Sequence, residues 1–203
     1  DNPMVQGPLD WGDVFSSNIY GGSAGRQHAG GYRPVTTLSY RLVPTGNLRL
    51  QRWLNLLFHA GTVALVFWLA LTLGAPLWAT TMATLVFAAH PVHVDAVVPL
   101  NNRSEMLCAI FLLAALVLWW RAKDVRIGLV AVLLGCMAGL SKEQGVLAPL
   151  LFAAPLIADW FAGKRGQERT MAQSWRPWLV GLSVLCMVAY IGLRMHALDG
   201  RFS

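Results

Sequence analysis

The side chains able to do chemistry in this 203-residue chain gather in a few short blocks, and the first of them reads Ala88-Ala-His-Pro-Val-His-Val-Asp-Ala-Val-Val98. It sets His90, His93 and Asp95 close together beside an apolar run, with Pro91 limiting helix continuation. Ionisable groups next to hydrocarbon persist when they pair, line a wet cavity or handle a substrate. Two imidazoles three residues apart lack the third ligand that a metal needs at matching spacing, so no metal site is expected.

A second block, Asn101-Asn-Arg-Ser-Glu105, opens the next apolar run. Ser104 reads as a helix cap and Glu105 as a charge favoured by the helix dipole. Arg103 is unfavourable at that end, which predicts an ion pair with Asp95 or Glu105, or a bound anion. In Ser141-Lys-Glu-Gln-Gly145, Lys142 and Glu143 either pair to fix a hinge, or Lys142 faces a lipid phosphate with Glu143 positioning it. Tyr32-Arg-Pro-Val-Thr-Thr-Leu-Ser-Tyr-Arg41 supplies Arg33 and Arg41, two of the five arginines between 26 and 52. Such arginines snorkel to headgroups or recognise a phosphate carried on a lipid. His59, inside the longest apolar run, reads as an interhelical contact.

The elements that must hold these blocks are apolar. The composition is 56% hydrophobic and 13% charged, with a mean hydropathy of +0.50, which excludes a water-soluble globule, disorder and collagen-like order. Nine Trp, 19 Gly and 10 Pro fit membrane helices with interfacial aromatics and close contacts. The net charge of +6 is scattered rather than clustered, so nucleic acid is not an expected partner. Cys108, Cys136 and Cys186 fall in separate apolar runs without metal or disulfide spacing and read as packing residues.

An all-α polytopic bundle of about six helices follows, near 53–73, 75–90, 104–120, 127–140, 145–161 and 177–193. Residues 1–49 form a Gly-rich loop structured by Trp11, Phe15, Tyr20, Tyr32 and Tyr40, and 195–203 a tail. Only the first run reaches the ~20 residues of a full span. The basic loops at 121–126 and 164–176 hold seven of the 16 Lys and Arg and should face the cytoplasm. Counting outward puts 1–49, His90 to Glu105, Ser141 to Gly145 and the tail on the opposite, extracytoplasmic face. Asp1-Asn-Pro3 has no signal-peptide character, and an exported first loop needs a preceding helix, so the sequence reads as a fragment of something larger.

The blocks Tyr32 to Leu42, Asn55-Leu-Leu-Phe-His59, Phe87 to Val97 and Leu140-Ser-Lys-Glu-Gln-Gly145 together resemble the membrane part of the transmembrane and tetratricopeptide-repeat O-mannosyltransferases, a group with the GT-C fold. The resemblance covers about residues 1–160. It implies transfer of a sugar, typically mannose, from a polyprenyl-phosphate donor to Ser or Thr hydroxyls of an acceptor protein on the extracytoplasmic side, without a metal or other cofactor. It implies an integral membrane protein, of the bacterial inner membrane with its motifs facing the periplasm, or of the endoplasmic reticulum in a eukaryote. The family's acidic pair, one member of which is the expected base, precedes a step like Asn2-Pro3, which places it upstream of Asp1. Asp95 stands where the family often has Glu, and Asn102 where Gly is frequent.

Under that resemblance Arg33, Arg41, Arg103 and Lys142 are the expected lipid-phosphate contacts. Tyr32, His90, His93, Asp95, Glu105, Glu143 and Gln144 shape the pocket. The competing class is a non-catalytic subunit descended from such a transferase and kept as a scaffold among other membrane subunits. A channel is disfavoured because the ionisable groups cluster at one face instead of crossing the membrane.

Overall fold

The computed structural model describes residues 32–41, 47–99, 102–161 and 174–197, and among them every regular element is helical. The helices are α1 (Pro34–Arg41), α2 (Leu48–Thr72), α3 (Leu77–Ala89), the short α4 (Val94–Val97), α5 (Arg103–Arg121), α6 (Val125–Ser141), α7 (Ala148–Phe161) and α8 (Arg176–Ala197). Single 3-10 turns at Pro91–His93 and Glu143–Leu147 lead into α4 and α7.

Among the described residues, four stretches are long and apolar enough to cross a membrane: Leu48–Thr72, Arg103–Arg121, Glu143–Phe161 and Arg176–His196. At 1.5 Å per residue, the 25 residues of α2 extend about 38 Å, enough for the ~30 Å hydrocarbon core. α3 and α6 are shorter.

The boundaries shift outward where polar residues extend an apolar run. α2 begins at Leu48 because Asn47 accepts the Leu50 amide at 3.0 Å, so the polar turn carrying Gln51 is already helical. α8 runs on to Ala197, which brings Arg194 into a helix. Eight residues of the expected N-terminal loop form α1, started by Pro34, whose fixed φ and missing N–H suit a first helical turn. Loop positions 1–31, most of the basic loop at 164–176, and tail positions 198–203 lie outside the described residues.

Sorting by burial is the reverse of a soluble protein. Trp53, Leu57, Trp78, Val86 and Trp178 are all more than half exposed, while Gln51, Asn55, Arg103, Ser104 and Ser141 are buried. Lipid rewards the first arrangement, and the second places hydrogen-bonding groups where only protein can satisfy them.

α5 and α6 lie at the centre, α5 against α2 and α6 against α8. Trp119 of α5 stacks on Phe152 of α7 at 4.7 Å, within a core that includes Ala131, Val132 and Met187. A Cβ on Gly135 would lie 3.1 Å from the Ala148 Cβ, so this glycine sets the close approach of α6 and α7. Cys108 is buried, and Cys136 and Cys186 are half-buried with free thiols.

The bundle has two chemically different ends. At one, Arg121 lies over Trp68, and Arg176 donates to the carbonyls of Trp119 at 3.4 Å and Ala122 at 3.3 Å, answering the C-terminus of α5. At the other meet α1, the His90 to Val98 segment, the starts of α2 and α5, the end of α6, the 143–147 turn and the end of α8.

Candidate functional site: a charged cluster at one end of the bundle

The cluster is assembled from the backbone outward. Thr36 donates its hydroxyl to the Ser141 carbonyl at 3.0 Å, both residues fully buried, and so ties α1 to the end of α6. The turn after Ser141 lies flat on α6, because Gly145 sits so close that a Cβ would come within 2.2 Å of the Ala138 carbonyl carbon and the Gly139 nitrogen. Arg33, Lys142 and Glu143 are thereby brought to one level.

The ion pairs cross between elements. Lys142 Nζ meets Glu105 Oε1 at 2.6 Å, while Glu143 accepts from Arg33 Nη2 at 3.2 Å and from Arg194 Nη1 at 2.6 Å. The expected Lys142–Glu143 pair is not formed, because Lys142 has extended backbone and Glu143 begins a 3-10 turn, which sends the neighbours to different partners. Arg33 also donates to Ser104 Oγ at 3.2 Å. Ser104 therefore serves Arg33 rather than capping α5, whose N-cap position is Asn102 without a side-chain cap bond.

Arg103 departs most from expectation. It pairs with neither Asp95 nor Glu105; its guanidinium, with no exposed surface, donates to Asn55 Oδ1 at 3.0 Å, to the Ser39 carbonyl at 3.1 Å, and to the carbonyl and side-chain oxygen of Gln51. The Tyr40 ring covers it at 4.4 Å. Neutral oxygens and an aromatic face solvate the cation in place of a carboxylate. This enclosure removes Arg103 from the cations a ligand can reach and makes it the tie between α1, α2 and α5. Of its partners, Asn55 opens one of the blocks that carry the family resemblance, while Gln51 has no signal in the sequence beyond being polar beside an apolar run.

The histidine segment packs on α2. His93 lies 4.3 Å from Phe87 and 5.1 Å from His59, whose Nε2 is 3.4 Å from the Ala88 carbonyl. Partial burial, reinforced by His59 and His90, lowers the pKa of His93 below its ordinary 6.5 and favours the neutral ring. His90 is exposed and accepts the Val92 amide at 3.2 Å. Asp95 is exposed, and its carbonyl receives Asn102 Nδ2 at 2.7 Å. Asn55 Nδ2 donates to the Val97 carbonyl at 3.1 Å, so the histidine segment and Arg103 share one scaffold.

Arg41 closes α1, and Gln144 is exposed beside Glu143. Tyr32 is fully buried against Tyr190, ring centroids 6.0 Å apart, and burial raises its pKa. Arg194 and Tyr190 lie beyond the blocks that sequence singled out; a basic residue in the last turn of an apolar helix was their only signal. Among the described residues no three His, Cys, Asp or Glu side chains converge as a metal site requires. An apolar groove of about 610 Å³ runs between α2 and α3, lined by Ala60, Ala64, Phe67, Trp68 and Thr84.

Apolar helices that face outward, around buried polar ties and an ionic cluster at one end, define a polytopic membrane protein of the helical-bundle class. The chain is 38% identical over 172 residues to a protein O-mannosyl-transferase of Caenorhabditis elegans, covering 78% of this chain and 24% of that protein. It is 31% identical over 205 residues to protein O-mannosyl-transferase Tmtc2 of Drosophila melanogaster, covering 95% and 21%. With protein O-mannosyl-transferase TMTC3 of Homo sapiens it shares 33% over 144 residues, covering 66% and 16%. The chain belongs to this TMTC-like family, and it spans less than a quarter of the length of these relatives. No family model matches the chain, and no solved structure does.

Proposed function

We propose that the chain is part of a GT-C-type membrane glycosyltransferase that moves a sugar, mannose in the first instance, from a polyprenyl phosphate to protein Ser or Thr hydroxyls. The observation that carries this reading is the gathering of Arg33, Lys142 and Arg194 from three distant stretches of chain to one end of an apolar bundle. The names of the relatives supply the sugar and the acceptor class.

The chemistry divides into two halves. A base must take the proton of the acceptor hydroxyl, and cations must stabilise the charge that grows on the departing lipid phosphate. The base is assigned to the acidic pair that the family resemblance implies. This chain supplies the second half, with Lys142 and Arg33 as phosphate contacts and Arg41 nearby on α1. Tyr32, Glu105, Glu143 and Gln144 form the surrounding wall; His90, His93 and Asp95 form its rim, with a neutral His93 able to relay a proton. The α2–α3 groove, running from near the His59 level toward Trp68, is apolar enough for a polyprenyl chain. The charged end faces away from the cytoplasm, in the endoplasmic reticulum of a eukaryote or toward the bacterial periplasm, because the basic 121–126 loop lies at the other end.

The test is lipid-linked sugar transfer by the full-length parent carrying Lys142→Met, at matched folded concentration. Loss of one fixed cation should lower turnover by about 10²- to 10³-fold, the scale of a lost electrostatic donor. Undiminished turnover with reduced protein yield would assign Lys142 to structure, and a folded wild-type parent that transfers no sugar would favour the scaffold role.

A further inference from the structure

Glu143 is held by two arginines that reach it from different elements, Arg33 from just before α1 and Arg194 from the end of α8. Arg33 reaches the carboxylate with Nη2 at 3.2 and 3.4 Å, and Arg194 with Nη1 at 2.6 Å. Tyr32 precedes Arg33 in the chain, and Tyr190 lies one helical turn before Arg194. The two rings are buried and in contact at 6.0 Å, so one aromatic pair braces both arginine stems. The charged ends stay reachable, with side-chain exposures of 26% for Arg33, 20% for Arg194 and 35% for Glu143.

Two guanidinium groups facing one carboxylate leave a positive charge unanswered within the triad. Lys142 does not alter this balance, since Glu105 already neutralises it. Arg33 also keeps its buried Nε without a hydrogen-bond partner, so its planar fork is only partly used. A carboxylate offers two oxygens to the two forks, whereas a phosphate offers more, in the geometry that guanidinium forks match bidentately.

We infer that Arg33 and Arg194 form an anion clamp for a phosphate or phosphodiester group, and that Glu143 is its built-in occupant, displaced when the phosphate enters. This deepens the reading above, on which it rests, by adding Arg194 of α8 to the phosphate contacts and by giving Glu143 an opposing role. Displacement breaks no covalent bond. The Glu143 carboxylate swings off both arginines toward solvent at the turn, and the incoming oxygens take its hydrogen bonds.

The sign of the Glu143 effect is the distinguishing feature. If Glu143 competes with the ligand, Glu143→Gln must tighten binding, whereas a carboxylate that positions the arginines for the ligand must weaken it when neutralised. The experiment measures binding to the purified full-length parent in nanodiscs with two probes, inorganic phosphate in solution and farnesyl phosphate in the bilayer. Wild type, Glu143→Gln, Arg194→Gln and Arg194→Lys are compared, each at its own folded concentration.

The expected result is about tenfold tighter binding for Glu143→Gln and at least tenfold weaker binding for Arg194→Gln, with partial recovery in Arg194→Lys. Both probes responding identifies a site for phosphate as such; farnesyl phosphate alone responding identifies a lipid headgroup site, and either supports the clamp. Equal affinity in wild type and a folded Arg194→Gln, weaker binding by Glu143→Gln, or no binding of either probe by wild type overturns it. Failure of the transferase reading is seen separately: the clamp then binds phosphate with these signs while the full-length parent transfers no sugar.

Discussion

Charge at single residues divides into enclosed and reachable cations, and the two kinds should respond differently to substitution. Arg103 is surrounded by the oxygens of Gln51, Asn55 and Ser39 and covered by Tyr40, so its donors are spent inside the protein. Lysine cannot reproduce donors aimed at two helices at once, at Ser39 of α1 and at Gln51 and Asn55 of α2. Arg103→Lys should therefore lower stability by about 2 kcal/mol, the cost of leaving a buried acceptor unsatisfied, measured by denaturant unfolding in detergent. Lys142→Met, at the reachable Lys142–Glu105 pair, should change stability by under about 1 kcal/mol. Equal losses from both would show that the enclosure of Arg103 carries no special weight. The sequence made Arg103 and Lys142 conspicuous, yet the carboxylates it offered them, Asp95 or Glu105 for Arg103 and Glu143 for Lys142, are not the groups they meet. Lys142 meets Glu105, 37 residues away, and not its neighbour Glu143, because chain direction at a turn separates adjacent side chains that spacing alone would pair.

Helices were legible where hydrophobicity marks them, since an apolar run in lipid must satisfy its own backbone hydrogen bonds. Polar helical turns gave no such mark. α1 reads Pro-Val-Thr-Thr-Leu-Ser-Tyr-Arg, a weak helix former by composition, and it is held as a helix by Thr36 and by packing against α5 and α6. The same limit hid the first turn of α2 and the last turn of α8, which supply Gln51 and Arg194 to the cluster. The turn between α6 and α7 depends on one missing side chain. A Cβ at Gly145 would overlap backbone atoms of Ala138 and Gly139, which cannot rotate away. Gly145→Ala should therefore cost more than the ~1–3 kcal/mol of ordinary overpacking and displace Lys142 and Glu143 together. Gly192→Ala in α8 meets no neighbouring atom within 4 Å and should be neutral or stabilising by up to about 1 kcal/mol. Thermal unfolding of the two purified variants compares them directly, and similar midpoints would refute the close approach.

For the molecule as a whole, the two ends are related by helix count and by contact. α2, α5 and α7 run away from the charged end, and α3, α6 and α8 return the chain to it, so His90 to Val98, the start of α5, the 141–147 turn and the end of α8 come to one side. The Arg121-Ala-Lys-Asp-Val-Arg126 loop and Arg176 come to the other, where Arg176 binds the carbonyls at the end of α5. This arrangement makes orientation a single binary choice for the entire chain. Lysine and arginine in short loops are retained on the cytoplasmic side, which predicts that Lys123 is cytoplasmic and Gln144 is not. The five arginines between 26 and 52 oppose this bias by number, but Arg33 is already ion-paired, a state that blunts its weight as a topology signal. Single cysteines placed at Lys123 and Gln144, in a background with Cys108, Cys136 and Cys186 replaced by Ala, test the choice in membranes of known sidedness. A membrane-impermeant maleimide should label Gln144→Cys from the extracytoplasmic side of sealed membranes and Lys123→Cys only after permeabilisation. Labelling of both from one side would break the two-ended bundle itself, and the inverse pattern would place the charged cluster in the cytoplasm.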